Sequence, residues 1–193
     1  MIEIIDDYLE EQDHKMIYDY FMGHMDKGDL QNSCCWSWLG GISIPNDGHF
    51  QFVHQVYTDH TILSPAFQLL KPILEREEVI ALARIKANCL IKTEEQIIFD
   101  WAFHTDFSEL GDEAITSIYY VNSNDGKTIF EDGKYVESKA NRLVRFPHFM
   151  KHTGSTCTDE DRRIIINFNY YVPKDKHIDG ICCLLYTSDA ADE

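Results

Sequence analysis

Basic residues are scarce in this chain: 17 Lys and Arg stand against 33 Asp and Glu, a formal net charge of −16 over 193 residues. A protein that grips DNA or RNA phosphates, or an anionic membrane surface, would do so against its own field, so neither nucleic acid nor membrane is expected as a partner. No run approaches the roughly 20 apolar residues of a membrane span. The opening Met1 to Glu11 is acidic where a secretory leader would be basic and then apolar, so an intracellular, cytoplasmic location is expected. The six cysteines form no CxxC pair, and Cys34/Cys35 and Cys182/Cys183 are immediate neighbours. That usage suits neither a zinc knuckle nor a disulfide framework and leaves reduced thiols as the expectation. Repeats and low-complexity blocks are also missing. With 44% hydrophobic and 12% aromatic residues, the chain has the composition and length of one folded domain with a real core.

The last residues, Cys183 to Glu193, read CLLYTSDAADE and resemble the translation of a transposon-based sequencing-library adapter, a scar expected of a metagenomic assembly. Such a segment is set aside from fold reasoning. That leaves residues 1–181 as a single domain, 182–193 as an artefactual tail, and the native C-terminus missing somewhere after Ile181. The balance of charge stays acidic without the tail.

Apolar residues Leu9, Ile17, Tyr18, Phe21 and Met22 fall mostly at helical spacing, which predicts a helix from Ile5 to about Met25 with Asp6 or Asp7 as its cap. CCWSWLGGISI and FQFVHQVY, separated by PNDGH, read as strands. A second helix is predicted from Ser64 to about Glu77, with Ser64 as cap, Pro65 in the first turn, and Pro72 as a point of kinking. From Val79 onward come short runs rich in β-branched and aromatic residues: VIALARIKANCLI, IIFDWAFH, AITSIYYVN, KTIFE, RLVRFP and RIIINFNYYV. Turn signals such as Ser123-Asn124-Asp125-Gly126 and Glu131-Asp132-Gly133-Lys134 separate them. Too little helix lies between these runs for βαβ crossovers, so the expected fold is mainly β: an antiparallel barrel or jelly roll with the N-terminal helices packed outside.

His-x-Asp occurs three times, at His24/Asp26, His104/Asp106 and His177/Asp179. Only the middle pair has a scaffold, because His104 closes the apolar run IIFDWAF and residues i and i+2 of a strand share a face. A third ligand should come from a distant strand that returns beside the first. His152, 48 residues downstream and just after RLVRFPHFM, meets that need. Two histidines and a carboxylate on one face of an octahedron, with the other positions open, are the donor set of non-haem Fe(II) oxygenases. A bidentate dicarboxylate co-substrate in the open positions needs a fixed cation at its far end. Arg163 opens the strand RIIINFNYY and supplies a planar fork. Its neighbour Arg162 must point the other way, to solvent, and Asn167, which shares the face of Arg163, is expected to contribute to binding the co-substrate with it.

Residues 84–171 resemble the catalytic core of the 2-oxoglutarate- and Fe(II)-dependent dioxygenases, in the prolyl-4-hydroxylase-like branch. The resemblance runs through RIKAN, HTDF, TSIYYVN, GKTIFEDGKYVE, RLVRFPHFMKHTG and RRIIINFNYY, in family order and spacing. It implies a double-stranded β-helix, iron held by His104, Asp106 and His152, and the distal carboxylate of 2-oxoglutarate held by Arg163, with Tyr120 touching the same carboxylate. It also implies Fe(II), 2-oxoglutarate and O2 as cofactors, with ascorbate as an accessory reductant. The reaction implied releases succinate and CO2 and hydroxylates an unactivated carbon of a peptide, protein or small-molecule substrate, prolyl being the nearest analogy. Superfamily members that halogenate have a small residue at the place of Asp106, so hydroxylation is expected.

The remaining histidines His14, His49, His54, His60 and His148 are expected to be surface or satisfied-core residues, and Cys34, Cys35, Trp36, Trp38 and Trp101 to be packing residues. The Arg84, Lys86 and Asn88 side chains of RIKAN share one face, which looks either into the barrel mouth or out to solvent. Two other functions stand beside the oxygenase: a jelly-roll binding or structural protein that holds metal without turnover, and a cupin-like metalloenzyme that would have no need of Arg163. The oligomeric state is not legible.

Overall fold

The computed structural model describes residues 1–23, 34–42, 44–45, 47–106, 110–111 and 113–174. His24/Asp26, His177/Asp179, Cys182, Cys183 and the adapter-like tail lie outside the described residues. The elements in chain order are β1 (Glu3–Ile5), α1 (Glu11–Met22), β2 (Ser37–Gly40), β3 (Phe50–Thr58), β4 (Thr61–Ile62), α2 (Ala66–Arg76), β5 (Ala81–Ile91), β6 (Ile115–Tyr120), β7 (Lys127–Phe130), β8 (Tyr135–Glu137), β9 (Arg142–Pro147), β10 (His152–Gly154) and β11 (Arg162–Tyr171).

Every strand pairing is antiparallel. The larger sheet runs β1-β9-β6-β11-β5-β3-β2 with β4 on β3, and the smaller runs β10-β7-β8. β11 is central, and its two faces have different partners. Ile164, Ile166, Phe168 and Tyr170 join Ile85 and Ala87 of β5 in a core closed by Ile17 and Phe21 of α1 and Leu70 and Ile73 of α2. From the opposite face Ile165, with Ile118, Tyr120, Val144 and Phe146, packs on Phe130 and Val136 of the smaller sheet. Covering both faces explains why β11 is buried from Arg163 to Tyr170, although polar Asn167 and Asn169 alternate with apolar Ile166, Phe168 and Tyr170. Two antiparallel sheets face to face, with helices on the outer side of the larger, make the jelly roll that the spacing of short strands predicts.

The local departures have local causes. The N-terminal helix begins at Glu11 rather than Ile5, and neither Asp6 nor Asp7 caps it. Residues Glu3–Ile5 instead pair with Arg145–Leu143 of β9, where Glu3 and Asp6 bond Arg145 and Arg142. Those long-range ion pairs are invisible to a helical-spacing count. α2 begins at Ala66 with Pro65, not Ser64, at the cap position, although the Ser64 hydroxyl just before it accepts the Ala66 N–H (3.1 Å), and Pro72 sits inside the helix. IIFDWAFH is not a strand: its backbone meets the sheet only at two isolated bridges, Ile98↔Ser155 and His104↔His152. Trp38 and Trp101 are 66% and 45% exposed, and Cys35 is exposed as well, so they are not core anchors, whereas Trp36 and Cys34 do pack on the core. Arg162 is half-buried rather than fully solvent-facing.

Candidate metal centre

The site grows from the cavity-facing rows of β5 and β11. Antiparallel register sets Arg84 opposite Asn169, Lys86 opposite Asn167, Asn88 opposite Ile165 and Leu90 opposite Arg163. Directly opposed residues point to the same side of a sheet, so these side chains form one grid facing the smaller sheet. The question left open by RIKAN is thereby decided: Lys86 and Asn88 line the cavity, and Arg84 reaches Asp106.

His104 and His152 exchange both backbone hydrogen bonds (3.1 and 3.0 Å). This single reciprocal pair, rather than a continuous strand, brings the two imidazoles together, with ring centroids 5.2 Å apart. Each ring donates from Nδ1 to a backbone carbonyl, His104 to Ala102 (2.8 Å) and His152 to Met150 (3.3 Å). A carbonyl can only accept, so Nδ1 carries the proton and Nε2 keeps a free lone pair. Both Nε2 atoms lie 3.9 Å from an Asp106 carboxylate oxygen. One ligand atom from each of the three residues falls within 4.8 Å of the others, and among the described residues this is the only such group.

Asp106 is held from behind. Arg84 Nη2 lies 2.8 Å from Oδ1, as a charge contact rather than an aligned hydrogen bond. Asn167 Nδ2 donates to both carboxylate oxygens (3.2 and 3.3 Å), and Asn169 Nδ2 donates to Oδ2 (3.4 Å). Burial alone would raise this carboxyl, but His152, Arg84, His104 and Lys86 outweigh it and hold it well below the usual carboxylate range. Burial pushes the His152 imidazole down, toward its neutral form. The result is a carboxylate kept toward its ionised form beside two imidazole Nε2 atoms, a donor set suited to a divalent transition metal.

Arg163 reaches the same cavity from the next rows of β11. It is 1% exposed. Its Nε donates to Ser138 Oγ (2.9 Å) and its Nη2 to Thr128 Oγ1 (3.0 Å), but no described carboxylate pairs with it. A buried cation without a counter-charge is costly and rare. Gly126 makes room for it: a Cβ there would lie 2.5 Å from Arg163 Cδ.

Tyr120 donates its hydroxyl to Thr128 Oγ1 (2.8 Å), with its ring beside the Arg163 guanidinium. Thr128 therefore accepts from both Tyr120 and Arg163, which leaves its own hydroxyl hydrogen for whatever fills the cavity. Asn167 is 4% exposed, and its Oδ1 is buried with no partner. Among the described residues, Asp106 is the only acidic one lining the cavity. Thr128, Ser138, Gly126, Asn169 and the inward sense of Lys86 are what sequence reading missed. Gly126 lies in a turn signal that was legible, but that Arg163 needs its missing side chain was not.

No protein-family model matches the chain, and no curated protein does. Solved structures do. The chain is similar to a 2OG-Fe(II) oxygenase family oxidoreductase from Burkholderia pseudomallei, with TM-score 0.52 and 13% identity over 71% of this chain and 72% of that one. It is similar to a prolyl hydroxylase from Trichoplax adhaerens in complex with a hypoxia inducible factor oxygen degradation domain peptide fragment, with TM-score 0.51 and 12% identity over 91% and 85%. It is also similar to the non-heme alpha-ketoglutarate-dependent epimerase SnoN from nogalamycin biosynthesis, with TM-score 0.55 and 12% identity over 99% and 84%. At such identities the likeness is one of fold.

Proposed function

We propose that this chain is an Fe(II)- and 2-oxoglutarate-dependent dioxygenase, with residues 1–181 as its single domain, that hydroxylates an unactivated carbon of a peptide residue or small metabolite. The observation that carries this reading is the unpaired, fully buried Arg163 facing the same cavity as His104, Asp106 and His152. A metal-binding protein with no co-substrate has no use for a desolvated cation there, whereas a dicarboxylate anchored at one end by metal uses both features. That the fold is shared with 2-oxoglutarate oxygenases adds support.

In this reading His104 Nε2, His152 Nε2 and an Asp106 oxygen hold the metal. Arg84, Asn167 and Asn169 keep the carboxylate oriented and ionised. Arg163 binds the far carboxylate of the co-substrate with a charge-assisted fork, Thr128 adds its free hydroxyl hydrogen, and Tyr120 acts at the same end by fixing Thr128. Apolar Leu90, Phe99, Ile118 and Ile165 line the walls and keep water from competing for the open positions. When bound, Fe(II) with 2-oxoglutarate and O2 supplies the oxidising chemistry, releasing succinate and CO2 as a substrate C–H becomes C–OH.

The test is an anaerobic titration of the full chain with Fe(II) and 2-oxoglutarate, followed by the visible charge-transfer band of a chelated 2-oxo acid. A saturable band is expected, abolished by Asp106→Ala and shifted to at least tenfold higher 2-oxoglutarate by Arg163→Leu. Iron binding without a band would favour a non-catalytic jelly roll.

A further inference from the structure

Lys86 is a second cation in the cavity, and beyond its share in keeping Asp106 ionised the reading above gives it no task. Arg84 is engaged by Asp106 (2.8 Å), and Arg163 is assigned to the co-substrate. Lys86 lines the cavity and acts on Asp106 through space, but no hydrogen bond or close ion pair ties it to any described residue. Directly across the sheet stands Asn167. The Asn167 amide orientation is fixed because its Nδ2 donates to a carboxylate, so Oδ1 is the atom left buried without a partner. One step along β5, the Asn88 side-chain oxygen is buried and unpartnered too. One cation without a contact partner and two unpartnered acceptors therefore sit together on the β5/β11 grid. Such groups are stable when a ligand supplies an anion to the first and N–H donors to the others.

We infer that Lys86, Asn167 and Asn88 form the subsite for the primary substrate, and that this substrate is a free α-amino acid whose carboxylate meets Lys86 and whose ammonium meets the asparagine oxygens. This rests on the oxygenase reading, since it takes Arg163 to be occupied by the co-substrate. The charges agree: a divalent metal, Lys86, Arg84 and Arg163 against Asp106 and a dianionic co-substrate leave the loaded cavity positive, which suits an incoming carboxylate. An internal residue of a peptide has its α-carboxylate and α-ammonium tied up in amide bonds and cannot offer the pair to this patch.

The experiment is ligand-observed NMR on the full chain loaded with Zn(II) and 2-oxoglutarate, titrated with a pool of the twenty L-amino acids and, separately, with the matching amino-acid amides. One or a few amino acids should give saturation transfer, with the amides silent. Lys86→Met should weaken the bound acids about tenfold or more, and Lys86→Arg should restore most of the loss, while both variants keep the wild-type melting transition. Equal binding of amides, or Lys86→Met binding the acids as wild type does, would overturn the inference. So would Lys86→Met weakening 2-oxoglutarate in place of the acids. Bound 2-oxoglutarate with no amino-acid signal overturns this inference alone; no bound 2-oxoglutarate overturns the oxygenase reading and this inference with it.

Discussion

At the scale of single residues the cost of function is concentrated in Arg163. A guanidinium 1% exposed with only two hydroxyl acceptors destabilises the ligand-free fold. Arg163→Met is therefore expected to raise the ligand-free Tm while removing the stabilisation by 2-oxoglutarate. A gain of about 1 kcal/mol corresponds to roughly 2–4 °C for a chain of this size. Differential scanning fluorimetry with and without 2-oxoglutarate reads both effects, and a lower ligand-free Tm would show that the two hydroxyls already compensate the charge. Gly126→Ala tests the same residue from behind. The new Cβ would stand 2.5 Å from Arg163 Cδ and 2.8 Å from Asn124 Oδ1, a clash costing about 1–3 kcal/mol. The expected outcome is roughly tenfold or greater loss of 2-oxoglutarate affinity with metal affinity unchanged, measured by calorimetry. His104, Asp106, His152 and Arg163 could be singled out as candidates because donor type and spacing are sequence properties, and all four line one cavity. The inward sense of Lys86 was not, because strand alternation says which residues share a face and not which face looks inward.

At the scale of elements, the candidate metal centre joins parts of unequal firmness. Asp106 is held by side chains of β11, and His152 lies on β10, itself paired with β7. His104 belongs to a segment fastened by isolated bridges and a few side-chain bonds, including Thr153 Oγ1 to the Phe99 carbonyl (2.8 Å) and the Ile97 N–H to Thr156 Oγ1 (2.9 Å). Segments held by few bonds open at lower free energy than central strands. Hydrogen exchange of the metal-free protein should therefore be faster over residues 97–106 than over β5 or β11, and metal should slow it at 97–106 and 152–154 together. Slowing at 152–154 alone would mean that His104 is not a ligand. Sequence patterning assigned this stretch to a strand because alternating apolar residues near a turn look the same whether or not a neighbouring strand is in register to pair with them.

At the scale of the whole molecule, a strongly acidic protein surrounds a cavity whose lining carries Lys86 and Arg163 against one carboxylate. A dianion is repelled at a distance and attracted at the mouth. Raising ionic strength from about 0.01 M to about 0.15 M shortens screening from roughly 30 Å to roughly 8 Å, so the association rate of 2-oxoglutarate, followed by stopped-flow growth of the charge-transfer band, is expected to rise with salt. A fall would show that the cavity charges govern the approach. The sequence by itself determined the class of fold, the places of most strands along the chain and the candidate metal ligands, since periodicity, turn chemistry and donor type are local properties that reach only a few residues along the chain. Only the tertiary structure decided that Glu3–Ile5 is a strand, that His104 meets His152 through one reciprocal backbone pair, and that Lys86, Asn88 and Asn167 face one cavity. Those facts depend on register between strands distant in the chain, and register is settled by the packing of both faces of the central sheet at once.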